Sequence, residues 1–316
     1  MTEPESNFLP GTSIQWAWDS TSLGDLKKCM YYYFLTHIEG WRPKEESIHL
    51  RFGIETHTAF QNYDEYRTSG MDHEEALNLV VREILYSAHD WDVDTSTPAG
   101  AAKNRKSLMY LVVLYLDHYQ DDKATTYIRP DGRPATELSF RFELDYSPQG
   151  WDQPYTLCGH LDKMVMFNDE IFGKDYKTTT SQLDDRYFAQ YEPNNQMSFY
   201  TLATKVVFDA NVKGIIVDAA KLAKDHPEKP EFARRFTYRS SDQLDEWTRD
   251  LAFWLRLAEQ CAHSGHWPQN DTACDKYGGC RFREICNKSP QVRERFLAAG
   301  FTQLPKDQRW NPLRTR

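Results

Sequence analysis

The chain has 316 residues, 40% hydrophobic and 27% charged, which excludes wholesale disorder and allows one large α/β domain with a helical elaboration or two modest domains. A net charge of −9 speaks against a general nucleic-acid coat protein, although carboxylates that hold a metal ion add to the same count. The longest apolar runs, 111–116 and 214–220, are too short to span a membrane, and the acidic Thr2-Glu3-Pro4-Glu5 does not resemble a secretory leader. The expectation is a cytoplasmic protein with no membrane partner.

In chain order, a first helix is expected to begin near Ser22 and to run through Leu26, Cys29 and Tyr33, with a break at 40–43. A second helical stretch covers 52–66, and the segment 62–94 is markedly acidic, with nine acidic and two basic residues. Within 103–120, Leu108, Leu111, Val112, Tyr115 and Tyr119 recur at spacings of three and four, the period of an amphipathic helix. The middle changes character. Segments 136–146, 155–167 and 170–177 are β-prone, separated by turn-rich 147–154 and by Asn168-Asp169, and read as three successive antiparallel strands. A helix at 195–207, an apolar strand at 214–220 and a strand at 232–238 follow. Helix 242–260 places Leu244, Trp247, Leu251, Leu255 and Ala258 on one face and leads into a cysteine-rich segment. From 287 to 316 there are seven basic and two acidic residues, a tail that is either simply solvated or able to follow a phosphate backbone.

Two aspartates stand where adjacent strands can join them: Asp162 late in one β-prone segment, Asp175 near the end of the next. Such a carboxylate pair can hold Mg²⁺ or Mn²⁺, which take oxygen ligands and retain waters for chemistry. Lys177, two residues after Asp175, projects to the same sheet face because strand side chains alternate. Taken alone, an Asp-x-Lys triplet is more often a surface salt bridge. The surrounding order changes that reading: Gly159-x-x-Asp162, then Asp175-Tyr176-Lys177-Thr178, then Gln196-x-x-x-Tyr200.

This succession resembles the RecB-like branch of the PD-(D/E)XK nucleases, over roughly residues 20–290. Upstream, Gly53-Ile54-Glu55-Thr56-His57 is similar to the family's glycine-to-histidine motif, and Glu137 more loosely matches a family glutamate near the site. The resemblance implies an α/β (α+β) fold with a central mixed sheet flanked by helices. It implies His57, Asp162, Asp175 and the backbone carbonyl of Tyr176 around Mg²⁺ or Mn²⁺, with Lys177 orienting or activating the attacking water. Gln196 and Tyr200, four apart on one helix face, would contact nucleic acid or brace Lys177. A helix histidine held by a local hydrogen bond is the plainer alternative for His57. The whole of 1–316 reads as a single nuclease domain, made of a helical N-terminal part (1–125), the nuclease core (136–240), a C-terminal helix with the metal-cluster segment (241–290) and the basic tail (291–316).

Six cysteines in a chain of this size do not suggest a secreted disulfide framework. Cys274, Cys280 and Cys286 are separated by five residues each, with Gly278 and Gly279 allowing tight folding between ligands. Cys29 stands where iron–sulfur members of the branch carry a fourth ligand, so the resemblance implies a 4Fe–4S cluster. In those members the last three cysteines usually run with two and then five intervening residues. The departure here leaves a structural four-cysteine Zn²⁺ site, or unliganded thiols, as alternatives. Cys158 and Cys261 read as ordinary buried thiols.

The function implied is a metal-dependent exonuclease acting on DNA, favouring single strands, in recombination, repair or phage DNA processing; the location would then be the host cytoplasm for a phage protein. Tyr31–Tyr33, Tyr187, Tyr191 and Tyr200 could stack on bases, and Arg234, Arg235 and Arg239 could take phosphates, with core packing and solvated charge as the alternatives. No Gly-Lys-Thr phosphate loop occurs, so a helicase or recombination motor would be a separate partner. The rival function is a catalytically silent DNA-binding or assembly protein with a structural metal cluster.

Overall fold

The computed structural model describes residues 6–45, 47–208, 211–223, 226–275 and 279–314. Strand β1 (Ala17–Trp18) and helices α1 (Ser20–Lys28) and α2 (Met30–Tyr33) lead through a π-helical turn at Phe34–Ile38 to β2 (Trp41–Pro43). Helices α3 (Ile48–Thr68), α4 (His73–Ser87), α5 (Pro98–Ala102) and α6 (Arg105–His118) follow. Strands β3 (Thr125–Thr126), β4 (Thr136–Glu143), β5 (Thr156–Phe167) and β6 (Glu170–Thr179) precede α7 (Asp185–Ala189) and α8 (Asn195–Val207). The rest is β7 (Val212–Lys221), β8 (Glu231–Tyr238), α9 (Ser241–Ser264), α10 (Arg283–Cys286), α11 (Arg293–Gly300) and β9 (Phe301–Gln303). No helix among the described residues is long and apolar enough to cross a membrane.

Two compact units are present, one of Glu46–Leu138 and His160–Arg239, the other of Met1–Glu45, Ser139–Gly159 and Ser240–Arg316. The first holds a mixed sheet: β5 and β6 run antiparallel, β6 and β7 parallel, β7 and β8 antiparallel. Its hairpin is set locally. Asn168 and Asp169 both adopt positive φ (50° and 63°), the backbone of a tight two-residue turn, and fix the register from Phe167↔Glu170 to Lys163↔Lys174. The apolar run of β7 is buried on both faces, as a central strand requires. On one face Tyr176, Ala220 and Leu222 join a core with Phe52, Phe60, Val80, Ile84, Leu108 and Tyr115 from α3, α4 and α6. On the other, α8 packs against β6 and β7.

Helix α4 falls within the expected helical N-terminal part, although no separate helix was expected at these residues. Asp72 caps it by accepting from Glu75 N, and Ala76, Val80 and Ile84 are buried at spacings of four. Its acidic sequence masked an ordinary amphipathic stripe.

The helical face of this sheet also buries charge. Tyr176, Asp218 and Arg234 are aligned across β6, β7 and β8. Asp218 Oδ2 accepts from Tyr115 Oη (2.5 Å) and Arg234 Nε (2.7 Å), and Lys174 Nζ, 2% exposed, lies 2.7 Å from the same oxygen. Arg234 also pairs with Asp122 at 2.7 Å. Arg239 is spent inside as well, donating to Ser198 Oγ, Thr237 Oγ1 and the Tyr191 carbonyl. The phosphate role suggested by sequence for Arg234 and Arg239 is thereby corrected, while Arg235 remains exposed over the Phe188 ring. Removing one member of such a network strands the others without water. Tyr115→Phe is expected to destabilise the fold by about 1–3 kcal/mol, read as a lower urea midpoint with unchanged m-value.

In the other unit, β1 lies parallel to the start of β5 (Ala17↔Thr156), and β2 pairs antiparallel with β9. The expected single helix through Cys29 is instead two. Asp19 and Ser22 form a capping box for α1, and the chain becomes extended at Cys29 (φ −166°, ψ 119°) before α2 begins. Asn270 compensates the break, its side chain donating to the Lys28 carbonyl (2.9 Å) and its N–H to Cys29 Sγ (3.3 Å).

Candidate active site

One residue beyond the last paired position of the β5–β6 ladder come Asp162 and Asp175, so the hairpin register brings the two aspartates side by side. Asp162 Oδ2 accepts the N–H of Tyr176 at 2.8 Å, and its Oδ1 lies 3.2 Å from His57 Nδ1. His57 comes from the middle of α3, the helix capped by Ser47. Glu137 arrives at the start of β4 with φ 42°, a left-handed conformation that costs a glutamate of order 1–3 kcal/mol and is kept where surrounding structure over-determines it. Ligand atoms of His57, Glu137 and Asp162 all lie within 4.8 Å of one another.

Lys177 Nζ sits 2.6 Å from Asp175 Oδ2 and donates to Gln196 Oε1 at 2.8 Å. Gln196 Nε2 in turn donates to Tyr200 Oη at 3.0 Å. Helix α8 places both residues because Asn194 caps it, accepting from Gln196 N and Met197 N, and because four residues make one turn. The ammonium is therefore held on two sides, by Asp175 and by a glutamine that is itself held.

The carboxylates are driven apart in acidity. Burial pushes Asp175 above the usual carboxylate range and the neighbouring Asp162 charge adds to this, with Lys177 opposing incompletely. Burial also pushes Asp162 up, but His57, Lys177 and the Tyr176 N–H outweigh it and hold Asp162 below the usual range. Burial lowers His57, yet Asp162 raises it further. Lys177 behaves likewise: desolvation lowers its pKa, and Asp175 with Asp162 more than restores it, so the amine is a cation at neutral pH.

A model of the PD-(D/E)XK nuclease superfamily matches residues 18–287. The chain belongs to this superfamily. The mixed sheet with helices on both faces is consistent with the fold of this superfamily. Among solved structures, a "putative exonuclease" from Eubacterium rectale is 12% identical with a TM-score of 0.49, the match covering 88% of this chain and 92% of that one. No curated protein matches the chain.

The nuclease also gathers its four spaced cysteines, all within the other unit. Cys29 lies at the extended break, Cys274 after a 3-10 turn at Asp271–Ala273, and Cys286 at the end of α10. Cys280 N donates to the Cys274 carbonyl at 2.8 Å; Gly279 is left-handed at φ 102°, while Gly278 lies outside the described residues. Burial pushes the Cys286 thiol up to about 11, and the neighbouring Cys280, Cys29 and Cys274 contribute in the same direction. Cys274 is raised by burial and by Cys280 and Cys29. Cys29, Cys280 and Cys286 pack with Tyr32, Leu35, Trp41, Phe282, Ile285 and Leu297, so the thiols line one apolar shell. Cys158 and Cys261 lie elsewhere, Cys158 near the Trp18 carbonyl and Cys261 3.6 Å from Met30 Sδ.

Of the aromatics singled out by sequence, Tyr33 is fully buried against Trp18, Tyr32 packs on Phe282, and Tyr200 braces Gln196. Tyr187 stays half-buried beside Tyr191, their hydroxyls 3.3 Å apart.

Proposed function

We propose that this chain is a divalent-metal-dependent DNA exonuclease of the RecB-like branch, acting on single-stranded ends in recombination, repair or phage DNA processing. The observation that carries the reading is the joint placement of Lys177, braced by Asp175 and Gln196, beside the donor set His57, Glu137 and Asp162. These residues fit a divalent ion: two carboxylates supply hard oxygen, and an imidazole among them favours a transition ion such as Mn²⁺ over Mg²⁺. Asp175 and the Tyr176 carbonyl complete the proposed ligands. When bound, the ion lowers the pKa of a water and offsets charge developing on the phosphate.

The protein's own groups do the rest. Asp162, held ionised by its neighbours, is ready to bind a cation at neutral pH. Lys177, kept protonated by the two aspartates, serves as a hydrogen-bond donor that orients the attacking water and meets the phosphoryl charge, rather than as a general base. Gln196 and Tyr200 hold that donor in place. Tyr187, half-buried, offers a ring suited to stacking on an unpaired base, with the buried Tyr191 packed edge-on against it.

For Cys29, Cys274, Cys280 and Cys286 we propose a structural 4Fe–4S cluster, supported by the effect of the other three thiols on Cys286 and by the apolar shell around Cys29, Cys280 and Cys286. Iron and acid-labile sulfide in anaerobically purified protein are the expected result; one zinc ion per chain would replace the assignment. The activity test is digestion of end-labelled single-stranded and duplex DNA with Mn²⁺ or Mg²⁺ under anaerobic conditions. Stepwise shortening of the single strand is expected. Absence of cleavage by folded protein with either metal would overturn the reading in favour of a silent DNA-binding protein.

A further inference from the structure

Lys103, the residue that ends α5, is 6% exposed, and among the described residues no carboxylate pairs with it. Its ammonium lies 5.4 Å over the Phe52 ring. Burial lowers its pKa, and no charge among the described residues opposes the shift. His49 feels the same ammonium, burial and Lys103 both lowering its pKa. Two basic groups gathered with no carboxylate partner among the described residues form an unfavourable arrangement that a bound anion would relieve. His49 also stands in the first turn of α3, where backbone N–H groups and the helix dipole favour negative charge.

The same helix connects this point to the candidate active site. His49, Gly53 and His57 are four residues apart and share one face of α3. A Cβ at Gly53 would meet nothing within 4 Å, so no packing inside the protein requires glycine there, although glycine in a helix interior is unfavourable relative to alanine. Gly53 thus leaves open space between the two histidines, which a rise of ~12 Å along the helix separates.

We propose that Lys103 and His49 bind a second phosphate of the nucleic-acid strand whose scissile phosphate lies beside His57, with Gly53 leaving room for the strand between them. The inference rests on the nuclease reading and adds to it a subsite that positions the strand. The shared ligand chemistry is a phosphate, which is either an internal diester or a terminal monophosphate.

The test is fluorescence anisotropy of a labelled single-stranded oligonucleotide with Ca²⁺ in place of the catalytic ion, repeated over a range of salt. Lys103→Met, which keeps the aliphatic stem over Phe52, is expected to bind about tenfold more weakly, with the slope of log K against log salt reduced by ~0.7. His49→Ala, at an exposed position, is expected to weaken binding in the same direction. Gly53→Ala is expected to weaken binding while melting at the same or a higher temperature. A single methylphosphonate walked along the strand identifies the source. An internal position that weakens wild-type binding and becomes silent in Lys103→Met marks a diester, whereas the same pattern on removing the terminal phosphate marks an end. Unchanged affinity and slope in both Lys103→Met and His49→Ala, with wild type that binds and cleaves, overturns the subsite alone. A wild type that neither binds nor cleaves DNA overturns the nuclease reading and the subsite with it.

Discussion

Asp175→Asn is expected to lower DNA cleavage by on the order of 10³-fold, while leaving the metal-free protein at least as stable as wild type at neutral pH. The first effect follows from position: Asp175 braces Lys177 at 2.6 Å and is a proposed ion ligand, so its loss frees the donor and weakens the ion together. The second follows from the raised pKa of Asp175. A carboxyl more acidic in the unfolded chain than in the folded one favours folding while protonated, and that contribution is lost as pH rises from the unfolded value through the folded one. At neutral pH the buried charge therefore works against the metal-free fold, and the neutral asparagine removes that cost. Thermal melts of both proteins in chelator, at pH 7 and near pH 4, check this: the variant should gain on wild type at pH 7 and lose the advantage at the lower pH. Adding Mn²⁺ should raise the melting temperature of wild type more than that of the variant. A variant that cleaves at wild-type rate would remove Asp175 from the chemistry.

Cys280→Ser is expected to abolish the cluster's iron and sulfide and to destabilise the protein by on the order of 5 kcal/mol, as expected for opening a long cross-linked loop. Thiolates 245 residues apart in sequence, Cys29 and Cys274, would be tied through one metal centre whose binding energy is available only to the folded chain. Serine is close to cysteine in size, so a simple packing loss would be small by comparison. Cys261→Ser, a change at a buried thiol beside Met30, should leave metal content untouched. Equal stability and equal metal content in Cys280→Ser and wild type would end the assignment.

Much of this site was readable in advance because its parts are local. Asn168-Asp169 is a turn signal in the sequence and a two-residue hairpin in the structure, and from that turn the register to Asp162 and Asp175 follows by alternation alone. Gln196 and Tyr200 share a helix face for the same kind of reason, a fixed period. What resisted reading was long-range. Glu137 matched only loosely because nothing local announces a glutamate in left-handed conformation; its place beside His57 and Asp162 depends on α3 and β5 being already assembled. Arg234 looked like a phosphate ligand because charge in a sequence carries no burial, and only the alignment with Asp218 across β7 and β8 shows that it is consumed inside.

The sequence by itself determined the periodic elements, the two-residue turn and the spacing of Asp162, Asp175 and Lys177, since each depends on neighbours within a few positions. Tertiary structure decided which carboxylate pairs with which cation, why Asp162 and Asp175 titrate on opposite sides of their usual range, and that Lys103 has no carboxylate partner among the described residues. Those outcomes depend on desolvation and on distances between groups as much as a hundred residues apart, which no local pattern encodes.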